Sequence, residues 1–226
     1  MELTFFGHAC FLVQFGDTKV LFDPFISPNE MAKHIDIQSI EADYIFVSHG
    51  HEDHVADLLS LAKQTKATVV SNFEIINWVT AQGYDKVHPM NFGTKKFDFG
   101  MVHFVPAAHS SALPDGSYGG NPGGFIFKTK EGNFYYTGDT SLTAEFTMIP
   151  YYGKLDAVIM PIGGNFTMDV EDAIIAADLI KCDNIIGVHY NTFGYIVIDE
   201  NQAQSRFEGA GKKLSLPKIG ETIKLK

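Results

Sequence analysis

The segment Ser48-His49-Gly50-His51-Glu52-Asp53-His54 constrains this chain more than any other stretch. It places three of the nine histidines and the carboxylate of Asp53 within six residues. A short apolar run, Asp43 to Ser48, precedes it and reads as a strand. Val55 to Gln64 follows, with Val55, Leu58, Leu59 and Ala62 at helical spacing. In extended backbone His49 and His51 project to the same side, and Gly50 between them permits close approach of the chain. The turn into the helix then redirects Asp53 and His54. One strand-to-helix loop can therefore serve two adjacent metal ions.

Four such groups cannot fill two coordination spheres, so more ligands must come from other strand ends. Three residues meet that condition: His109 after the stretch Met101 to Ala108, Asp139 after Phe134 to Thr137, and His189 after Ile185 to Val188. Each alone is a weak signal, since Gly-Asp is a common turn. Their occurrence together with the histidine cluster is what counts.

The rest of the chain supplies the frame. Cys10 to Phe15 and Thr18 to Phe22, separated by Gly16-Asp17, predict a β-hairpin. A further strand begins at Thr68 to Val70, and Asn72 to Gln82, closed by Gly83, predicts a helix. Between Asp115 and Gly124 the density of glycine and proline predicts a mobile loop. Phe125 to Thr129 pairs with Phe134 to Thr137, and Leu155 to Met160 reads as a buried strand closed by Pro161. Thr167 is the expected cap of a helix over Asp169 to Lys181. Glu200 to Gly209 is the last helix, and Thr222 to Leu225 a closing strand. Strands grouped early and then alternating with helices predict an α/β fold, a four-layer αββα sandwich of two mixed sheets with helices outside. We expect it to be one domain over residues 1–226.

Composition narrows the function. Lys and Arg number 17 against 27 Asp and Glu, a net charge of -10, which sets an unfavourable field for nucleic acid. No signal peptide is expected at the start, and no apolar run is long enough for a membrane span. Two cysteines, Cys10 and Cys182, give no disulfide framework and suit a reducing cytoplasm. A homo-oligomer is a default expectation only.

The run His49, His51, Asp53, His54 resembles the His-x-His-x-Asp-His signature of the metallo-β-lactamase superfamily. The resemblance extends in order to Asp23 in Leu21-Phe22-Asp23-Pro24, then His109, Asp139 and His189. Phe6-Gly7-His8-Ala9, Gly120-Asn121-Pro122, Gly138-Asp139-Thr140, Pro161 to Met168 and His189-Tyr190-Asn191-Thr192 look like its small uncharacterised metal-dependent hydrolase group, which is similar to ascorbate-6-phosphate lactonases. The resemblance implies the same αββα sandwich. It implies that His49, His51 and His109 hold one metal, that Asp53, His54 and His189 hold the other, and that Asp139 bridges them. Imidazole-rich coordination without thiolate makes zinc the first guess, with manganese or iron as alternatives.

A hydroxide between two such ions would attack an ester, lactone, amide or phosphoester bond of a small substrate, with Asp53 accepting or relaying the proton. Asp23 is expected to orient a ligand imidazole from behind. His8 is expected at the cleft rim, and with Asn165, Tyr190 and Asn191 as a substrate-binding candidate. The competing readings are a tRNA-processing type of metallo-nuclease, for which no basic arm is evident, a β-lactam hydrolase, and a non-catalytic metal-binding or regulatory module on the same fold.

Overall fold

The computed structural model describes residues 1–225, so the final position of the domain expected over 1–226 lies outside the described residues. The N-terminal half opens with three antiparallel strands, β1 (Glu2–Gly7), β2 (Cys10–Phe15) and β3 (Thr18–Phe22). It continues with parallel strands β4 (Tyr44–Phe46), β5 (Thr68–Asn72) and β6 (Val87–Met90), connected through helices α1 (Glu52–Val55), α2 (Leu58–Thr65) and α3 (Phe73–Ala81).

The C-terminal half repeats the scheme. Antiparallel β7 (Gly93–Phe97), β8 (Gly100–Pro106), β9 (Gly123–Thr129) and β10 (Asn133–Tyr136) lead into parallel β11 (Ala157–Pro161), β12 (Asn184–Val188) and β13 (Lys213–Ser215). Helices α4 (Val170–Ile180) and α5 (Glu200–Gly209) make the crossovers. Strand β14 (Thr222–Lys224) returns to pair with β1, giving two seven-stranded sheets among the described residues.

The period-two alternation of each strand sorts its side chains between layers. Phe11, Val13, Phe22, Phe46 and Val70 of the first sheet meet Phe125, Phe127, Phe134, Tyr136, Ile159 and Val188 of the second, forming a phenylalanine-rich layer between the sheets. The intervening residues Leu12, Leu21, Ile45 and Val69 face outwards onto Leu58, Leu61, Ile75 and Val79 of α2 and α3. Ile126, Tyr135, Val158 and Met160 face outwards onto Ala173, Ala177, Ala203 and Phe207 of α4 and α5. Three apolar clusters thus separate four layers. Both cysteines are buried and free, and no helix among the described residues is long and apolar enough to cross a membrane.

Several sequence expectations need correction. Strands β6, β7 and β13 were not anticipated, and all three are edge strands. Edges bury little, so β7 is almost wholly exposed and β6 carries Pro89, which an edge tolerates. The helix expected over Val55 to Gln64 is broken after α1, where the Asp57 carboxylate accepts hydrogen bonds from the backbone of Ile26 (2.6 Å) and Ser27 (2.8 Å). The cap of α4 is Asp169 rather than Thr167: its side chain accepts from the Asp172 N–H. The 115–124 loop is braced, not loose. Asn72 donates to the carbonyls of Gly119 (2.7 Å) and Asn121 (3.3 Å), and Ser111 also donates to Gly119. Gly120 is required there, because it sits at φ +74 and a Cβ would lie 2.5 Å from the Asn72 side chain.

Candidate metal centre

The ends of β1, β3, β4, β8, β10 and β12 gather at one edge of the sandwich, and six of the nine histidines meet there. The backbone is turned sharply to do this. His8 (φ +55), Asp23 (φ +41) and His189 (φ +55) all occupy left-handed conformations directly after their strands. A non-glycine residue there costs about 1 to 3 kcal/mol, and such strain collects at functional sites. The His189 N–H donates to the His8 carbonyl (2.8 Å), tying the ends of the two sheets together. The loops carrying His109 and Asp139 are joined likewise: Thr140 Oγ1 accepts from the Ala108 N–H, and the Ser141 N–H donates to the Ala108 carbonyl.

Asp23 lies behind the histidines, fully buried, and accepts four hydrogen bonds: from the Ser48 N–H (2.8 Å), the Ser48 hydroxyl (2.5 Å), the Tyr136 hydroxyl (2.6 Å) and His54 Nδ1 (2.8 Å). With Nδ1–H of His54 donated to Asp23, its Nε2 carries the lone pair. Ser48 spends its proton on Asp23 and so accepts from His49 Nδ1 (3.0 Å), which frees His49 Nε2 in the same way. One carboxylate therefore sets two imidazoles, the arrangement that orients metal-binding histidines.

The freed nitrogens face two cradles. His49, His51 and His109 present three ligand atoms in one, with His49 Nε2 and His51 Nδ1 3.0 Å apart. Asp53, His54, His189 and His8 present four in the other, all within 4.8 Å of one another. Asp139 stands between them: its Oδ2 is 2.9 Å from His189 Nε2, 3.3 Å from His54 Nε2, 3.7 Å from His109 Nε2 and 4.0 Å from His49 Nε2. His54 Nε2 is buried and has no hydrogen-bond partner among the described residues. A divalent cation supplies what that lone pair lacks, and the nitrogen-and-oxygen donor set fits zinc, manganese or iron.

The electrostatics agree. Burial would raise the Asp139 carboxyl, but His189 and His54 hold it well below the usual carboxylate range. Burial acts on Asp53 in the same sense and is likewise overridden, by His54, His189 and His8. In turn, against burial, Asp139 lifts His189 to about 9 and, with Asp53 and Asp23, lifts His54 well above 6.5, so without a cation both rings hold a proton that a bound metal would displace. His49 is pushed well down by burial and by the neighbouring His54. Two ionised carboxylates at the centre draw positive charge to it.

The structure brings together all seven residues expected as metal ligands: His49, His51, Asp53, His54, His109, Asp139 and His189. Gly50 matters for the reason the spacing gives, since a Cβ would press within 3.3 Å of Leu113 and the Ala112 carbonyl. Asp23 stands behind the site as anticipated. His8 is placed differently from the rim position expected of it. It is 1% exposed, its left-handed backbone folds the ring inward between Phe25 and Phe193, and its Nε2 lies 3.0 Å from Asp53 Oδ2. Tyr190 is half-buried and, with His8, Met31 and Leu216, lines an adjoining cavity of about 340 Å³. Asn191 is a loop brace: its amide donates to Glu200 (2.9 Å) and accepts from the Ile198 N–H (2.9 Å). Asn165 is exposed in a left-handed turn, φ +57, a conformation asparagine favours. Ser48, Tyr136 and Thr192 escaped the sequence reading. Ser48 adjoins one quoted motif and Thr192 closes another, so both could have been found, whereas nothing local marks Tyr136.

Comparison with known proteins agrees with this geometry. The family model described as a beta-lactamase superfamily domain matches residues 2–189. A UPF0173 metal-dependent hydrolase of Flavobacterium johnsoniae is 50% identical over 226 residues, covering all of both chains. One of Bacillus subtilis is 37% identical over 232 residues, again across both whole chains. The solved structure of a metallo hydrolase from Ignicoccus hospitalis superposes with a TM-score of 0.89 at 32% identity, covering 98% of this chain and 97% of that one. An isothiocyanate hydrolase from Delia radicum gut bacteria shares the fold, with a TM-score of 0.81 at 17% identity and 99% and 98% coverage. A histidine-rich edge on a four-layer sandwich, matched over nearly its full length, identifies the chain as a member of the metallo-β-lactamase superfamily, among its UPF0173 metal-dependent hydrolases.

Proposed function

We propose that this chain hydrolyses an ester, lactone, amide or phosphoester bond of a small substrate at a centre of two divalent cations, zinc first among them. The position of Asp139 carries the reading. Its Oδ2 lies within 4.0 Å of four imidazole nitrogens drawn from both cradles, as a carboxylate shared by two ions requires. Cations bound there would polarise the scissile group and lower the pKa of water towards neutrality, to about 7 for a single zinc.

The remaining tasks fall to side chains. Asp53 is 26% exposed where Asp139 is 3%, so it reaches the mouth and is the group to accept and relay a proton. The proton would settle on Oδ1, because Oδ2 faces His8, His54 and His189. Phe166, Phe193 and Tyr195 stand exposed on the loops after β11 and β12, and residues 162–169 and 189–199 contain no Lys or Arg. Such a rim favours a small substrate of low charge over a nucleic acid or a multiply phosphorylated compound. The test is metal content by plasma mass spectrometry on protein purified without chelator, followed by a screen of esters, lactones and phosphodiesters. About two equivalents, lowered in His49→Ala, together with turnover of one of these classes, is the expected result. Substoichiometric metal that added zinc or manganese does not restore would sink the proposal.

A further inference from the structure

We propose that His8 is a further ligand of the buried cradle, a third imidazole beside those of His54 and His189, with the carboxylates of Asp53 and the shared Asp139. This rests on the reading of the centre as one that holds cations.

The position of one hydrogen decides what His8 can do. The Thr192 hydroxyl donates to the Tyr190 carbonyl (3.3 Å), so its single proton is spent. The metal-binding tautomer has His8 Nδ1, 3.1 Å from Thr192 Oγ1, as the donor of that pair. A neutral imidazole has only one N–H, so His8 Nε2 then carries a lone pair 3.0 Å from Asp53 Oδ2. A proton between those two atoms holds them together in the metal-free chain, and a cation seated against both would take its place. The same logic, a ring nitrogen fixed from behind and the other left bare, holds for His54 through Asp23 and for His49 through Ser48. The buried cradle offers four atoms of its own, His8 Nε2, Asp53 Oδ2, His54 Nε2 and His189 Nε2, where the other offers three, and Asp139 stands between the two. Two aromatic edges, Phe25 at 5.4 Å and Phe193 at 5.1 Å between ring centroids, hold the His8 ring in this orientation.

His8→Gly is the variant of choice. The residue sits at φ +55, where glycine relieves strain, and the substitution leaves an imidazole-shaped void. Zinc affinity is measured by chelator competition, and cobalt coordination by its visible spectrum. Native protein should bind two equivalents. His8→Gly should bind one of them at least 100-fold more weakly, with an altered cobalt spectrum, and millimolar free imidazole should restore both. Thr192→Val, which leaves the ring but removes its acceptor, should weaken the same equivalent about 10-fold to 100-fold. Unchanged affinity in His8→Gly, or a loss that imidazole does not repair, would overturn the proposal and leave His8 as a donor or packing residue. Native protein that binds a single equivalent would instead refute the two-cation reading, and the His8 proposal would be decided by whether that equivalent weakens in His8→Gly.

Discussion

The two cradles each present three imidazoles, the second adding the Asp53 carboxylate, and they meet water differently. In the first, His51 is half-buried and His109 is 13% exposed. In the second, His8, His54 and His189 are all at most 2% exposed, and only Asp53 reaches solvent. A buried donor set retains its ion, and a set open on one side leaves room for water or substrate. On the two-cation proposal, the buried cradle would retain its ion and the open one would exchange it.

Removing Asp139 would damage both cradles at once. Asp139→Ala takes a donor from both cradles, and we expect metal content to fall towards zero and hydrolysis to drop by at least about a thousandfold, as for groups that act as a unit. Retention of two equivalents would show that the cradles do not depend on a shared carboxylate. His51→Ala sharpens the comparison. Only the open cradle is damaged, so one equivalent should remain while activity falls about a hundredfold or more. Loss of both equivalents would mean that the two sites fill together. A chelator should then resolve them in native protein: release measured over time should be biphasic, the first equivalent leaving from the open cradle.

Smaller changes act through the groups behind the rings. Asp23→Asn disturbs His54 directly and His49 through Ser48, and should weaken both equivalents about 10-fold to 100-fold by competition titration. Ser110 Oγ, 3.4 Å from His51 Nε2, is the weakest contact, and Ser110→Ala should change zinc affinity less than about threefold.

This ordering parallels what could be read from the sequence. The first cluster was legible because one strand-to-helix loop holds His49, His51, Asp53 and His54, so spacing alone suggests a shared purpose. His109, Asp139 and His189 each follow a different strand, and only the fold puts them beside the loop. The hairpin β2–β3 and helix α5 matched their predicted bounds because their apolar patterns and turn signals are local. The edge strands β6, β7 and β13 lacked that pattern because they bury so little. His8 was misplaced for a related reason. Whether a residue after a strand lies at a rim or in a core depends on one backbone angle, and φ +55 leaves no trace in the neighbouring residue types.

The bond from Tyr136 to Asp23 has a reach beyond the site. Tyr136 belongs to β10 in one sheet and Asp23 to the end of β3 in the other, so the bond is a rivet driven through the sandwich directly beneath the histidines. Three of the bonds that seat the Asp23 carboxylate come from Ser48 and His54 on its own side, and the fourth is made only when the two sheets have closed. A peptide cut from residues 43–65 would keep four of the candidate ligands but neither Asp23 nor the rivet.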